Sequence, residues 1–345
     1  MRLGLNLGYA ATTAARDSIE LVREAERLGF EIVWIAEAYG SDAATTLGWL
    51  AGQTDRIGLG SAVFQIPARS AAMTAMTAAT MDLLSGGRFS LGLGLSGPQV
   101  SEGWHGVRYD APLARAREYV DVVRMALRRE RVRYNGEHLT LPLPDGPGKA
   151  LALALPPSAR QIPLFLAAMG PKNLALAGEI ADGVLPLFFA PEYADQWLPP
   201  FLSTRPAGSA PADFAPTLPL WIGQDLAAAA DVVRPNAALY VGGMGSREKN
   251  FYAALAARYG YEREAAAVQD RFLAGDRKGA EEALPLEFLD RTSLLGPVER
   301  VADRLQALKA VGVTTVSVTV FGATVHERIA QLRACAAAFE KSGVG

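Results

Sequence analysis

The sequence predicts an α/β fold, a (β/α)₈ TIM barrel with insertions, and three observations point there. Short β-rich runs alternate with longer segments of helical period along the whole chain. Eight such runs can be counted. Each is followed by at least one helical segment, which favours a closed barrel over an open doubly wound sheet, although periodicity alone does not count neighbours.

The elements follow in order. The chain enters its first strand within three residues of Met1. From Arg16 to Gly29, Ile19, Val22, Ala25 and Leu28 recur at helical spacing, with Gly29 where a glycine cap belongs. Ile32 to Ala36 reads as the second strand and Ile57 to Phe64 as the third. Ser70 to Leu84 reads as a helix with Met73 and Met76 inward, ended by Gly86 and Gly87. Phe89 to Leu95 is strand four, and Pro112 suits the first turn of a helix striped by Leu113, Ala116, Val120, Val123 and Leu127. The pattern then breaks: Val132 to Tyr134, Asn135-Gly136 and His138 to Leu141 predict a hairpin with a type I′ turn inside an insertion over 131–161. Strands resume at Pro163 to Ala168, Val184 to Phe188 and Leu218 to Gly223. The segment 261–295 is charged and mixed, a second insertion with no strand signal. Pro297 opens a helix, strand eight alternates Val316, Val318 and Val320 with Thr315, Ser317 and Thr319, and a last helix carries Ile329, Leu332, Ala336 and Phe339.

Composition bounds the function. The chain has 345 residues, half of them hydrophobic, enough to bury a large core as one domain over 1–345. With 34 Lys and Arg against 36 Asp and Glu the net charge is −2, and no basic stripe offers a field for nucleic acid. One cysteine excludes an intrachain disulfide, and three scattered histidines offer no metal site. The N-terminus has no signal-peptide pattern and no apolar run approaches the roughly 18 residues of a spanning helix, so the expectation is a cytoplasmic protein without a membrane partner.

In a barrel the chemistry belongs at the C-terminal strand ends. That places Asn6, Glu37, Val63 to Gln65, Leu95 and Ser96, Ala168 to Lys172, Leu187 and Phe188, and Phe321 around one mouth. Glu37 ends strand two, where a carboxylate can act as a base, orient a cofactor or pair with an arginine. His105 lies in the loop after strand four, where catalytic groups accumulate. Gly92, Gly94 and Gly97 resemble a dinucleotide-type glycine pattern only superficially, since the pattern does not open a helix within a βαβ unit near the N-terminus and no acid follows at the expected distance. Ala168, Gly170, Pro171 and Lys172 make a strand end and a helix first turn whose free amides suit a phosphate. Arg247 and Lys249 are candidates for meeting an acidic ligand tail.

Taken together, Trp34 to Leu50, Gly58 to Gly97, AAMGPKN at 167–173, AGEIADGV at 177–184 and GGMGSREKNF at 242–251 resemble the luciferase-like monooxygenase superfamily, in its branch of coenzyme F420-dependent oxidoreductases. The likeness spans nearly the whole chain in the expected order. It implies a barrel with a deazaflavin across its mouth, and a non-prolyl cis peptide at the end of strand three, here Ala62–Val63. It also implies ring contacts from Ala62, Val63, Gln65, Gly94 and Ser96, and a phosphate site at Ala168, Gly170, Pro171 and Lys172. Sugar-phosphate dehydrogenases of this branch carry an Asp-His pair and a glutamate where this chain has Glu37-Ala38 and, approximately, Gly97. The sequence is more similar to members resembling methylenetetrahydromethanopterin reductase.

The expected activity is hydride transfer between the deazaflavin and a small organic substrate, as reduction of C=C, C=N or C=O, with Glu37 and His105 as proton-transfer candidates and Asn6 beside the cofactor. Its rivals are an FMN-dependent monooxygenase of the same fold and a non-catalytic cofactor-binding protein. The resemblance further implies a homodimer formed through barrel helices.

Overall fold

The computed structural model describes residues 1–8 and 15–345. Strand β1 (Arg2–Asn6) pairs in parallel with β2 (Ile32–Ile35), which pairs with β3 (Gly58–Ser61). Both β3 and the short β4 (Phe64–Gln65), which resumes the same run after a break, pair with β5 (Phe89–Gly94). A hairpin of β6 (Tyr134–Asn135) and β7 (Thr140–Leu141) stands apart. The main sheet continues through β8 (Leu164–Leu166), β9 (Gly183–Val184) and β10 (Asp213–Phe214). Two residues later the same run becomes β11 (Thr217–Ile222). Leu187 bridges to Thr217, β11 pairs with β12 (Leu294–Gly296) and with β13 (Thr315–Val320), and β13 pairs with β1. These pairings complete a circuit of eight parallel positions, the closed alternative of the two that alternation allowed.

Helices cover the outside: α1 (Ala15–Arg27), α2 (Ala43–Ala51), α3 (Ala71–Leu84), α4 (Pro98–Gly103), α5 (Pro112–Leu127), α6 (Pro171–Ile180) and α7 (Leu198–Leu202). Then come α8 (Leu226–Ala238), α9 (Phe251–Arg258), α10 (Glu262–Leu273), α11 (Arg277–Glu282), α12 (Leu286–Arg291), α13 (Val298–Ala310) and α14 (Val325–Ser342). Side chains set several of their starts. Asp42 accepts the Thr45 amide at 2.6 Å, Ser70 accepts that of Met73 at 3.1 Å, and Thr324 with Glu327 forms a capping box.

Alternation along the strands divides the apolar residues into two cores. Leu3, Leu5, Val33, Ile35, Leu59, Leu91, Val316 and Val318 face the helices. Trp34, Phe165, Leu185 and Ala215 form a separate cluster inside the barrel, with Ile32, Ala62 and Val63 packed on it. Trp34 and Phe165 meet edge to face at 5.2 Å. Space for these rings comes from strand glycines: a Cβ on Gly60 would stand 2.2 Å from Trp34, and one on Gly183 2.4 Å from Phe165. This plug is the floor beneath the mouth. At the opposite end Arg2 pairs with Asp213, which also accepts from Thr314 and Thr315.

Four sequence expectations need correction. Met73 and Met76 face solvent, while the inward face of α3 is Ala71, Thr74, Ala75, Ala78 and Ala79; only small residues fit where α3 lies close to its neighbours. The predicted two-residue turn is a four-residue loop, Gly136 to Leu139. In it the Glu118 carboxylate accepts the amides of Glu137, His138 and Leu139, so a helix residue satisfies the backbone that a type I′ turn would have closed. Strand six is shorter than Val184 to Phe188: regular pairing covers Gly183–Val184, Pro186 has no N–H to extend it, Leu187 only bridges to Thr217, and Phe188 turns to φ +53°. The second insertion ends in a strand, β12, whose three residues are too few to show a period.

Candidate active site

The site begins with a carboxylate at the end of β2. Glu37 accepts from Arg69 Nε at 3.3 Å and Nη2 at 3.1 Å, and from the amides of Ala43 and Gln65, each at 3.2 Å. Of the three roles open to it from sequence, the arginine pair is therefore realised. Arg69 also reaches Asp42 and lies 4.7 Å from the centre of the Phe64 ring. Burial opposes the charge on Arg69, but Glu37 and Asp42 outweigh it and raise its pKa. Burial likewise opposes the charge on Asp42, and its bonds to Thr45 and Arg69 hold the carboxyl below its ordinary value. The Arg69 carbonyl accepts from Tyr119 at 3.1 Å, a phenol that burial pushes up to about 12.

Between β3 and β4 the Ala62–Val63 peptide is cis, as the resemblance implied. Ser61 Oγ anchors the break by donating to the Gly92 carbonyl at 2.8 Å and accepting its amide at 2.9 Å. Gly94 lies against Val63, whose Cγ2 would be 2.3 Å from a Cβ at that position. Gln65 follows in register with Gly94, and its side chain is buried. Ser96, at φ +60°, donates to Gln65 Oε1 at 3.3 Å, and His105 Nε2 lies 3.1 Å from the same oxygen. On the neighbouring strand end, Asn6 donates to Thr217 Oγ1 at 3.2 Å, accepts the Gly8 amide at 2.7 Å and pairs in register with Trp34.

The second half of the mouth is cationic and aromatic. Gly170 caps α6, Pro171 and Lys172 are exposed in its first turn, Ala168 is buried beneath them, and Asn173 donates to the Ala167 carbonyl at 3.1 Å. Arg258 donates to the Met169 carbonyl at 2.7 Å, which puts a second cation at this helix start; burial lowers its pKa. Phe188 packs on Tyr240 and Tyr252, Phe251 is 3.9 Å from where a Gly97 Cβ would stand, and Tyr39 reaches Met244. Arg247 is exposed and paired with Asp270 at 2.6 Å, so its charge is already answered, whereas Lys249 is exposed and forms no ion pair among the described residues.

The structure thus gathers Glu37, Ala62, Val63, Gln65, Gly94, Ser96 and His105 through shared contacts, and the 168–172 turn through its own cluster. Sequence reasoning missed Arg69 and Arg258. A basic residue in the loop after strand three, facing an acid at the end of strand two, was a usable signal for the first; nothing local marked the second. No cluster of three or more His, Cys, Asp or Glu among the described residues can hold a metal, and no described helix is long and apolar enough to cross a membrane.

The family profile described as luciferase-like monooxygenase matches residues 2–315. The chain belongs to the luciferase-like monooxygenase family. Among its relatives, a Mycobacterium tuberculosis protein provisionally assigned as a coenzyme F420-dependent oxidoreductase is 44% identical over 329 residues, 92% of this chain and 95% of that one. The 5,10-methylenetetrahydromethanopterin reductase of Archaeoglobus fulgidus is 30% identical over 308 residues, 86% of each chain. The coenzyme F420-dependent tetrahydromethanopterin reductase of Methanopyrus kandleri superposes with a TM-score of 0.81 at 24% identity, covering 96% of this chain and 97% of that one, which supports the fold.

Proposed function

We propose that the protein is an oxidoreductase that uses coenzyme F420 to reduce C=C, C=N or C=O in a small organic substrate. The observation that carries this reading is the 44% identity to the mycobacterial relative over almost the full length of both chains. The residues fit such a cofactor. Ala62 and Val63 offer an apolar wall above the Trp34–Phe165 floor, and the Trp34 indole N–H is buried without a partner among the described residues. Lys172, Arg258 and the α6 amides suit an acidic chain. When bound, the coenzyme supplies a hydride. The protein's own part is to fix the reactants and hold a proton donor near them, with Gln65, Ser96, His105 and Asn6 as the polar set. Anaerobic mixing with the reduced coenzyme tests this directly. Against a panel of enones, imines and ketones, deazaflavin oxidation coupled to acceptor reduction is the expected result. No turnover of any acceptor, together with oxygen consumption on reduced FMN, overturns it.

The same reading includes a homodimer. Helix α3 carries one charged residue, Asp82, and that one is buried; its outer face is Met73, Met76, Leu83 and Leu84, the last two each 60% exposed, beside Trp49 of α2. An uncharged face of this size suits a second copy of the chain. Light scattering after gel filtration is expected to give twice the chain mass for the wild type and a single chain mass for Met76→Glu/Leu84→Glu; a monomeric wild type removes this part.

A further inference from the structure

We propose that Gln65 is a positioning residue for His105, holding the imidazole by Nε2 so that Nδ1 is the nitrogen that exchanges a proton with the substrate. The inference deepens the reading above and, in its kinetic consequence, rests on it.

The amide oxygen of Gln65 has two lone pairs and two neighbours. Ser96 Oγ takes one at 3.3 Å, and His105 Nε2 meets the other at 3.1 Å. A carbonyl oxygen only accepts, so the imidazole carries its proton on Nε2, and Nδ1 is free to bind or release one. Gln65 is suited to impose this choice. It is 3% exposed, its backbone is paired into β5 through Gly94, and its backbone N–H donates to Glu37, which Arg69 clamps in turn. His105, by contrast, sits on a loop at the end of α4, where its backbone is held by one bond to the Val100 carbonyl and is followed by Gly106 at φ +68°. The partner held in the sheet therefore sets the orientation of the one on the loop. The two acid–base candidates read from sequence become one relay of position: Arg69 fixes Glu37, Glu37 fixes Gln65, and Gln65 aims His105. In the reduction, the substrate carbon takes the hydride as its heteroatom or adjoining carbon takes one proton from Nδ1 of the cationic imidazole, and a proton from water restores it. A second consequence concerns the Gln65 amide nitrogen. Among the described residues it has no acceptor, so its hydrogens are available to a ligand oxygen.

The test uses the full chain with ¹⁵N-labelled histidine. The three histidines are distinguished by substitution, with His105→Ala identifying its resonances. A ring proton of His105 slow enough in exchange to be observed, coupled to Nε2, is expected in the wild type. It is expected to vanish in Gln65→Leu and to persist in Gln65→Glu, which keeps the acceptor. A protected ring proton on Nδ1 with none on Nε2, no protected ring proton in the wild type, or one that survives in Gln65→Leu overturns the proposal; circular dichroism establishes that the variants are folded. This readout needs no cofactor, so it stands even if F420 does not bind. Where F420 does bind, Gln65→Leu is expected to lower kcat at saturating coenzyme at least roughly tenfold, and Gln65→Glu to recover part of the loss. An unchanged kcat in Gln65→Leu would count against the role.

Discussion

Replacing Gly92 by alanine is expected to cost roughly 3–5 kcal/mol of stability, seen as a fall of about 4–7 °C in the melting temperature or as loss of soluble protein. The reason is geometric. A Cβ at residue 92 would lie 1.9 Å from the Ser61 carbonyl oxygen and 3.0 Å from Leu185 Cδ1. The first of these is backbone and cannot swing aside. Relief requires β3 and β5 to part, and the two bonds between Ser61 Oγ and the Gly92 backbone would go with them. The damage would reach the site, because Val63 and Gln65 stand on the same run. Gly103→Ala is the control: nothing lies within 4 Å of the added carbon, its φ is not positive, and it is in a helix, so its melting temperature should be unchanged or slightly higher. Equal melting curves for the two variants would refute this account of the close approach of β3 and β5.

Arg69→Met is expected to destabilise by about 3–5 kcal/mol in urea or thermal unfolding, since it leaves Glu37 charged in a largely enclosed place with only two backbone amides. Removing both charges, as Glu37→Gln/Arg69→Met, should return much of that loss, and the cycle of single and double variants measures the coupling directly. Glu37→Gln alone separates positioning from proton transfer. If Glu37 acts by holding Gln65, the amide substitute still accepts from the Gln65 backbone and kcat falls only a few-fold; if Glu37 gives up a proton, the loss is roughly a hundredfold or more. Strictly additive effects of the two substitutions would show that the ion pair does not brace the mouth.

Much of the architecture was readable because the barrel repeats one pattern. A strand buried on both sides, such as Ile32 to Ile35, stands out as a run, and a helix such as α1 shows its stripe. Helix α3 shows why the rule fails where it does. It lies so close to its neighbours that its inner face is alanine and threonine, which leaves the large apolar residues outside and inverts the usual reading. The site was half legible. Position along the chain was enough to place Glu37, Gln65 and Ser96 at one mouth, since strand ends in a barrel converge whatever the sequence between them. Their roles depended on partners far off in sequence: Arg69 is 32 residues from Glu37, and His105 is 40 from Gln65. No periodic signal carries such pairings. Arg247 is the reverse case, for its basic character was visible but the Asp270 that answers it was not.

The central claim is that the mouth takes a deazaflavin. Titration of the purified apoprotein with coenzyme F420 and with FMN in parallel, followed by fluorescence, tests it most directly. Micromolar or tighter binding of F420 with little for FMN, weakened when Lys172 and Arg258 are replaced by methionine, is the result expected. Preference for FMN, or F420 binding indifferent to both cations, would contradict it.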